Sequence, residues 1–377
     1  AELYRLQKEM RAAEETYRKA LAVNPNAVMV HVALGTFYIK QQQLSAAEQS
    51  FRKVIEIEPK DLEHRLRLGH LYAAQGEVKA AEPLARYSTY RIGGPATVVN
   101  PAVPEDVSRA LRLADRLGVP WFALGLGSNV LLPDEGLDAM VVRLGKGIDR
   151  IDQQEDRWRF GAGLPAPIAA RKTAHAGWSG LHVMVGVPGT VGGGVFMNAG
   201  CHGGQWSDVI ESVVAVDGAG NSRVFAATDI PFRYRRSGLE GWIVLEVSVR
   251  LAAGSAPALA DEVAKLFEWR QQGTPFNQPC CGSVFQNPDG GPWRGPDGRE
   301  LRTAGQLIEG AGLKGTRSGG AMVSPMHANY FVNTGGATAA DVRALIDQAR
   351  LRVATETGAV LEPEVKLIGP RGEYLTP

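Results

Sequence analysis

The chain has 377 residues, of which 44% are hydrophobic and 21% are charged, a globular balance with room for two or three domains. Its 41 lysines and arginines nearly cancel its 40 aspartates and glutamates, so no overall field attracts nucleic acid or anionic lipid. Three cysteines, two of them adjacent, argue against a disulfide framework and for reduced thiols. Without a long apolar span or a signal-like start, the sequence predicts a soluble cytoplasmic protein.

The first part of the chain repeats itself. "AAEETYRKALAVNPNA" (12–27) matches "AAEQSFRKVIEIEPKD" (46–61), which begins 34 residues later. Small residues let paired helices approach and a proline ends each second helix, so residues 1–83 are predicted as all-α repeats. The segment resembles tetratricopeptide repeats, which bind protein partners. The third copy loses register after Ala81, where Pro83 interrupts it. A docking surface is one open interpretation, and a cap or an inherited appendage is an equally open one.

Short strands and scattered helices follow. Valine-rich "ATVVNPA" and "AMVVRL" predict strands, and "WFALGLGSNVLL" predicts two strands around a glycine turn. Apolar residues at helical spacing predict helices in "PEDVSRALRLADRLG", "LADEVAKLFEWRQQG" and "AADVRALIDQARLRVATETG". Because strands and helices do not alternate strictly, the pattern favours an α+β fold over a doubly wound parallel sheet.

Several familiar site motifs are absent from the sequence. "GLGSNV" offers Gly125 and Gly127, but Val130 occupies the place of the third glycine of a dinucleotide-binding turn. No phosphate-loop lysine or Gly-x-Ser-x-Gly elbow is present. The seven histidines show no metal-ligand spacing, so no metal is expected.

Two glycine-dense segments remain, "GLGSNVLL" (125–132) and "GVPGTVGGGVFMNAG" (186–200). Glycine lets a ligand approach the backbone closely, and successive N–H groups in such turns form anion-binding concavities. Together the two segments predict a large cofactor that carries phosphates.

Eight motifs now carry a family resemblance. They are "YSTYRIGGPA", "GLGSNVLL", "GVPGTVGGGVFMNAG", "FRYRRSG", "CGSVFQNP", "AGQLIEGAGLKG", "VSPMHANYFVN" and "LEPEVKLIG". In this order they resemble the UDP-N-acetylenolpyruvoylglucosamine reductase (MurB) family over about residues 84–370. The resemblance implies a two-lobed FAD-binding region of the vanillyl-alcohol-oxidase type (84–252) and a C-terminal α+β substrate domain (253–377).

The resemblance also implies the ligands and the residues that hold them. FAD is the expected cofactor and NADPH the cosubstrate, and the substrate is an enolpyruvyl UDP-sugar of peptidoglycan synthesis. The expected FAD-binding residues are Arg91, Gly125, Gly127, Ser128, Asn129, Gly189, Thr190, Gly192, Gly193 and Asn198.

The implied catalytic residues are Ser283, Arg235 and Glu364. Ser283 would protonate C2 of the substrate as a general acid, which explains why a serine between Gly282 and Val284 needs no histidine beside it. Arg235 and Glu364 would stabilise the enolate, with neighbouring Arg236 and Glu362 as the rival assignments.

Residues on the substrate side are less regular. Tyr234 and Asn287 are the implied contacts of the substrate, whereas Gln286 stands where the family usually has a cation. We expect His327 to be structural and residues 289–301, rich in proline and glycine, to form an exposed loop.

Two other functions compete with the reductase. One is a flavin oxidase of the same fold acting on another substrate. The other is a scaffold in which the repeats recruit a partner and the flavin region has decayed. The short junction after the repeats predicts a closely packed join rather than a flexible tether.

Overall fold

The computed structural model describes residues 10–41, 43–58 and 77–375. Predictions for residues 1–9 and for most of the third repeat, 59–76, lie outside the described residues. The helices are α1 Met10–Val23, α2 Val28–Lys40, α3 Leu44–Ile57, α4 Pro104–Leu117, α5 Ala166–His175, α6 Val191–Phe196, α7 Ala256–Gly273, α8 Ala304–Gly310 and α9 Ala339–Thr357. Short 3₁₀ helices lie at Leu84–Tyr87, His182–Gly186, Trp206–Asp208 and Ala227–Asp229.

The strands belong to several small sheets. In the first half they are β1 Glu77–Pro83, β2 Pro95–Asn100, β3 Trp121–Leu124, β4 Val130–Leu131, β5 Met140–Arg143, β6 Ile151–Gln154, β7 Arg157–Gly161, β8 Trp178–Ser179, β9 Gly200–Cys201 and β10 Gly204–Gln205. The others are β11 Ile210–Asp217, β12 Ser222–Ala226, β13 Trp242–Arg250, β14 Ala252–Ala253, β15 Trp293–Arg294, β16 Glu300–Leu301, β17 Arg317–Ser318, β18 Ala321–Val323, β19 Phe331–Asn333, β20 Lys366–Ile368 and β21 Tyr374–Leu375.

The N-terminal helices α1–α3 pack around the residues that recur in the repeat. Ala13 and Ala47 are fully buried, and Phe51 is 1% exposed. A Cβ on Gly35 would lie 2.7 Å from the Phe51 ring, so the glycine lets α2 and α3 approach closely. Leu117, at the end of α4, packs against this cluster and joins it to the region that follows.

Helical repeats were predicted as far as residue 83, but β1 is a strand. Its backbone pairs antiparallel with β2, from Glu77 opposite Asn100 to Pro83 opposite Pro95. Proline cannot continue a helix, and the edge of β2 offers unpaired backbone groups to a neighbouring strand. The helical prediction is therefore wrong for residues 77–83, and the other domain limits stay predictions.

Two sheets form the middle of the chain. The first has the order β1-β2-β5-β3, in which β2, β5 and β3 run parallel. The second has the order β12-β11-β13-β7-β6 and is antiparallel throughout, with an extensive apolar core against α5 and α6. The loop between β3 and β4 leaves the first sheet and is the first glycine segment of the sequence.

The C-terminal part has its own core around β17-β18-β19, α8 and α9. Its strand β20 returns to the first glycine segment, where it pairs parallel with β4. Residues 289–301 are largely exposed as expected and contain the short hairpin β15–β16. The return of β20 brings the C-terminal motif beside the glycine loop.

Candidate active site

A cavity of about 360 Å³ lies where these parts meet, within the range of small-molecule and cofactor sites. Its lining includes both glycine segments and the three implied catalytic residues, Ser283, Arg235 and Glu364. Of the ten residues expected to bind FAD, eight line it: Gly125, Gly127, Ser128, Asn129, Gly189, Thr190, Gly192 and Gly193.

The glycine segments require glycine because they pack closely against neighbouring backbone and against each other, which leaves no space for a Cβ. Gly127 has a φ of 61°, and a Cβ there would lie 2.1 Å from the carbonyl oxygen of Tyr87. A Cβ on Gly125 would lie 2.7 Å from Oγ1 of Thr190. The two segments therefore form one wall with little side-chain cover, which suits close approach of a phosphate-bearing cofactor.

Thr190 organises the second glycine segment. Its hydroxyl oxygen accepts a hydrogen bond from the Gly193 N–H at 3.2 Å and caps α6. A Cβ on Gly192 would lie 2.7 Å from the Cβ of Ala162, and one on Gly194 would meet the indole of Trp206 at 2.3 Å. Glycine is thus required both by helix packing and by the open wall.

Arg235 stands at the tip of a tight turn. Arg233 and Arg236 exchange backbone hydrogen bonds of 2.9 and 3.1 Å, and Arg235 has a φ of 56°. Its Nε donates to Oε1 of Glu364 at 3.1 Å, and an Nη donates to the carbonyl oxygen of Gly200 at 3.1 Å. The turn therefore aims the Arg235 guanidinium at the cavity and pairs it with Glu364.

Ser283 lies on a segment that backbone hydrogen bonds of its neighbour Val284 hold in place. Val284 accepts from the backbone N–H of Glu364 at 2.8 Å and donates to the carbonyl oxygen of Asn329 at 2.8 Å. The Asn329 side chain accepts from the Phe285 N–H at 2.9 Å and donates to the Phe285 carbonyl at 2.8 Å. This clamp sets Ser283 and Glu364 on neighbouring segments beside the same cavity.

Glu364 is an acid in a largely buried place. Burial raises the pKa of Glu364, although the positive charges of Arg235, Lys366 and Arg270 act in the opposite direction. Its carbonyl oxygen accepts from the side-chain amide of Asn129 at 3.2 Å, so the first glycine segment also positions it. A carboxyl in this setting holds its proton more firmly than an ordinary glutamate does, which suits acid–base work.

Four of the expected residues do not line the cavity. The buried Asn198 donates to the carbonyl of Arg233 and accepts from Ser207, so it supports the arginine turn. Asn287 accepts from the Ala304 N–H at the start of α8, and the exposed Tyr234 ring lies under the Arg235 guanidinium at 4.7 Å. Arg91 is exposed on its own turn, with a φ of 56°.

The rival residues lie elsewhere. Arg236 and Glu362 are exposed and do not line the cavity, whereas Arg235 and Glu364 do. His327 packs against Tyr330 and accepts from the Asn329 N–H at 3.2 Å, which is a structural environment. No group of three His, Cys, Asp or Glu within the described ranges is arranged to hold a metal ion.

Two cations on the cavity wall were not predicted from the sequence, Arg270 and Lys366. Lys366 could have been found, because it lies two residues after Glu364 in the same sequence motif. Arg270 lies in α7 with no motif around it, and only the folded chain shows that it reaches the cavity. Aromatic residues of the lining were also missed: Trp121, Phe122, Phe196, Trp242 and Tyr374.

Sequence models of known families match three parts of the chain. The C-terminal domain of UDP-N-acetylenolpyruvoylglucosamine reductase matches residues 274–368, and an FAD binding domain matches residues 95–225. Tetratricopeptide repeats match residues 1–27 and 30–61. The fold and the cavity thus define an FAD-dependent oxidoreductase, preceded by helical repeats, and the α+β prediction is confirmed.

Similar proteins narrow this class. UDP-N-acetylenolpyruvoylglucosamine reductase of Heliobacterium modesticaldum is 39% identical over 293 residues, 77% of this chain and 90% of that protein. The Caulobacter vibrioides reductase is 40% identical over 294 residues, 77% and 94% of the two chains. The crystal structure of the Thermus caldophilus enzyme (MurB) covers 78% of this chain and 99% of its own, with a TM-score of 0.66 and 33% identity. This chain belongs to the UDP-N-acetylenolpyruvoylglucosamine reductase family.

None of the helices in the part of the chain that the structure describes is both long and apolar enough to cross a membrane.

Proposed function

We propose that this chain reduces UDP-N-acetylglucosamine enolpyruvate to UDP-N-acetylmuramate for peptidoglycan synthesis, with NADPH as the reductant. The observation that carries the proposal is the meeting of Ser283, Arg235 and Glu364 on one cavity with the glycine segments. Because NADPH and UDP-sugars are intracellular metabolites, we also propose that the enzyme works in the cytoplasm.

The two glycine segments fit FAD. Glycines at 125, 127 and 189 leave no room for side chains between the segments, and backbone N–H groups there can face a pyrophosphate. We propose that these residues, with Ser128 and Asn129, hold the cofactor. When bound, FAD supplies hydride transfer from NADPH to C3 of the enol ether.

Ser283 would donate the proton that completes the reduction after hydride transfer to the substrate. As negative charge develops at C2, the Ser283 hydroxyl transfers its proton there and is replenished from solvent. A serine hydroxyl is a weak acid, but a carbanion-like centre is a strong base, so placement matters more than a lowered pKa. The Asn329 clamp supports this role because it limits movement of the Ser283 backbone.

Arg235 and Glu364 would stabilise the negative charge that develops on the enolate. The guanidinium can donate to the substrate carboxylate as the enolate forms, which stabilises the developing charge in a partly buried site. Its bonds to Glu364 and Gly200 hold the fork in one orientation before substrate arrives. Burial raises the pKa of Glu364, so this carboxyl takes up a proton more readily than an exposed glutamate would.

Anaerobic stopped-flow on the flavin-loaded protein tests this proposal. We expect NADPH to bleach the flavin and the enolpyruvyl UDP-sugar to restore its colour promptly. Bleaching without restored colour would favour the rival flavin oxidase that acts on another substrate. A purified chain that carries no flavin would favour the scaffold.

The helical repeats suggest a second, separate property. We propose that residues 1–83, except for strand β1, provide a docking surface for a protein partner. The match to tetratricopeptide repeats over 1–27 and 30–61 supports this. A chain truncated before β1 should lose a partner that the full chain retains, while both flavin half-reactions continue.

A further inference from the structure

One end of the cavity is aromatic. Five aromatic side chains of the described residues line it: Trp121, Phe122, Phe196, Trp242 and Tyr374. They come from β3, α6, β13 and β21, and not from the segments that carry Ser283, Arg235 and Glu364. Aromatic rings suit a flat, largely apolar ligand group, and the proposed proton and hydride transfers use none of these five.

Tyr374 reaches the cavity from a hairpin near the C-terminal end of the chain. β20 and β21 pair antiparallel, with Tyr374 opposite Ile368. The connection between the two strands is held to the flavin region, because the Asp138 N–H donates to the carbonyl oxygen of Pro370 at 2.6 Å. The match to the reductase C-terminal domain ends at residue 368, so β21 lies beyond the part of the chain by which the family is recognised.

The Tyr374 ring packs on two other aromatic rings. It stacks on Phe196 with centroids 6.1 Å apart and planes at 29°, and it meets Phe122 edge to face at 6.5 Å. Gly372 brings the hairpin close, since a Cβ there would lie 3.0 Å from the Cβ of Phe122. Tyr374 nevertheless remains 48% exposed. A ring that is held in place but half uncovered at a cavity can gain contact area from a flat ligand ring.

The order of residues along the first glycine segment indicates which part of FAD lies here. Phe122, in β3, directly precedes this segment. The segment continues to Asn129, whose side-chain amide donates to the carbonyl oxygen of Glu364. In FAD the pyrophosphate lies between the flavin and the adenosine. If the glycines hold the pyrophosphate and the flavin ring reaches Glu364, the adenine lies on the side of β3.

The start of β13 borders the same end of the cavity. Burial and then the charge of Glu240 raise the pKa of Tyr374 to about 12, so this carboxylate lies near the tyrosine hydroxyl. Glu240 directly precedes Gly241 and Trp242, which line the cavity. The Trp242 ring is itself held edge to face against Phe225 at 4.9 Å. Tyr374 therefore lies near β13 as well as β3.

We propose that Tyr374 contacts the adenine ring of bound FAD, so that the C-terminal hairpin completes the cofactor site. The inference rests on the proposed function, in which the glycine segments hold the pyrophosphate and the flavin lies beside Ser283. Phe196 supports the tyrosine ring from its other side. Tyr374 thus holds the cofactor and takes no part in the proton or hydride transfers.

Titration of the deflavinated full chain with FAD, followed by flavin fluorescence, tests the inference. Tyr374→Ala should weaken FAD binding by ~5- to 30-fold, the lower part of the range for a base stacked on an aromatic side chain. Tyr374→Phe should bind FAD within ~2-fold of the wild type, because the ring and not the hydroxyl makes the contact. Phe276→Ala is the matched control, since Phe276 is an aromatic residue that is 59% exposed and does not line the cavity.

The visible absorption spectrum of the bound flavin distinguishes the two rings of FAD. At saturating FAD, Tyr374→Ala should keep the wild-type spectrum, because the adenine is not part of the visible chromophore. A shifted spectrum would overturn the inference, since it would place Tyr374 against the flavin ring instead. An FAD affinity of Tyr374→Ala within ~2-fold of the Phe276→Ala control would overturn it too.

Two further measurements keep the outcome clear. If Tyr374→Ala unfolds the hairpin, Tyr374→Leu carries the same test, because leucine keeps an apolar contact with Phe196 but offers no flat face. Wild-type FAD affinity in Tyr374→Leu would contradict stacking on the adenine. Flavin recolouring by the enolpyruvyl sugar in the wild-type protein tests the proposed function by itself. A chain whose FAD affinity depends on Tyr374 but which does not recolour would keep the adenine contact and lose the proposed reaction.

Discussion

The segment around Ser283 and the N-terminal helices hold their side chains in opposite ways. Phe285 is clamped by Asn329, 44 residues away, and Glu364 is bound by Asn129, 235 residues away. In α1–α3 the corresponding contacts are short in sequence, such as the bond from Tyr38 to Glu14 across 24 residues. The active-site geometry therefore depends on the whole reductase fold, whereas the repeats depend mainly on their neighbours.

The two regions also use charge differently. In the repeats, pairs such as Arg18–Glu14 and Arg52–Glu48 are spaced four residues apart on exposed helix faces, where ion pairs contribute little. At the cavity, Arg235 and Glu364 are one-fifth exposed or less and form part of the proposed machinery. Substitutions at the cavity should therefore change the rates of the flavin half-reactions, whereas substitutions in the repeats should not.

Ser283→Ala should have the largest effect on rate. We expect re-oxidation of the flavin by the enolpyruvyl sugar to slow by ~10²–10⁴-fold, because the proton donor is lost. Reduction by NADPH should be unchanged in the same stopped-flow experiment. Ser222→Ala, at an exposed serine of β12, is the control. Equal slowing of both phases would contradict the assigned role.

Arg235→Met should come next. Loss of the cation is expected to slow the same phase by ~10²–10³-fold, as for removal of a donor to a developing oxyanion. The double variant Arg235→Met/Glu364→Gln should be hardly slower than the single one, because the two groups act as a pair. Arg236→Met is the matched control, and slowing by that exposed neighbour would reverse the assignment of the two arginines.

Asn329→Ala should have an intermediate effect that reaches both rate and stability. Two buried backbone groups of Phe285 lose their partner, at a cost of roughly 2–5 kcal/mol in the free energy of unfolding. Displacement of Ser283 should slow re-oxidation by at most ~10²-fold. Denaturant titration and stopped-flow measure the two effects. Asn329→Asp keeps the acceptor for the Phe285 N–H but sets a second oxygen against the Phe285 carbonyl, so it should also be destabilising. A normal rate in Asn329→Ala would show that the clamp does not position Ser283.

The pH dependence of stability should show a smaller effect at Glu364. Burial raises its pKa in the folded protein, so the folded state binds this proton more tightly than the unfolded chain does. The stabilisation is complete below the ordinary glutamate pKa and is lost as the pH rises through the raised value. Thermal unfolding of the wild type, compared with Glu364→Gln over this window, measures it. A difference that grows in favour of the wild type with rising pH would mean that the pKa is lowered.

Phe51→Ala should have the smallest effect on rate. Removing this buried ring should destabilise the helical block by ~3–5 kcal/mol. Both flavin half-reactions should nevertheless keep their rates, while limited proteolysis cuts residues 10–58 faster. Val23→Ala, at a side chain that is 88% exposed, is the control. A slowed half-reaction in Phe51→Ala would show that the repeats are coupled to the active site.

Much of this protein could be predicted from short stretches of sequence. The glycine segments, the 34-residue repeat and the strand and helix patterns are local properties, and they were read correctly because backbone freedom and periodicity leave marks in the sequence. Membership of a family motif predicted less well which residues line the cavity. Arg91, Asn198 and Asn287 belong to the motifs, yet they lie outside the cavity lining, and two of them bind backbone groups instead.

By itself, the sequence determined the class of fold and the position of the two glycine segments, because each depends on residues close together in the chain, and the resemblance of its motifs implied Ser283 as the candidate acid. The tertiary structure decided between Arg235 and Arg236 as the arginine on the cavity, brought Glu364 beside Asn129, made residues 77–83 a strand and placed Arg270 on the cavity wall. Those outcomes depend on which backbone and side-chain groups, distant in sequence, form hydrogen bonds with each other in the folded chain. No local sequence pattern contains that information.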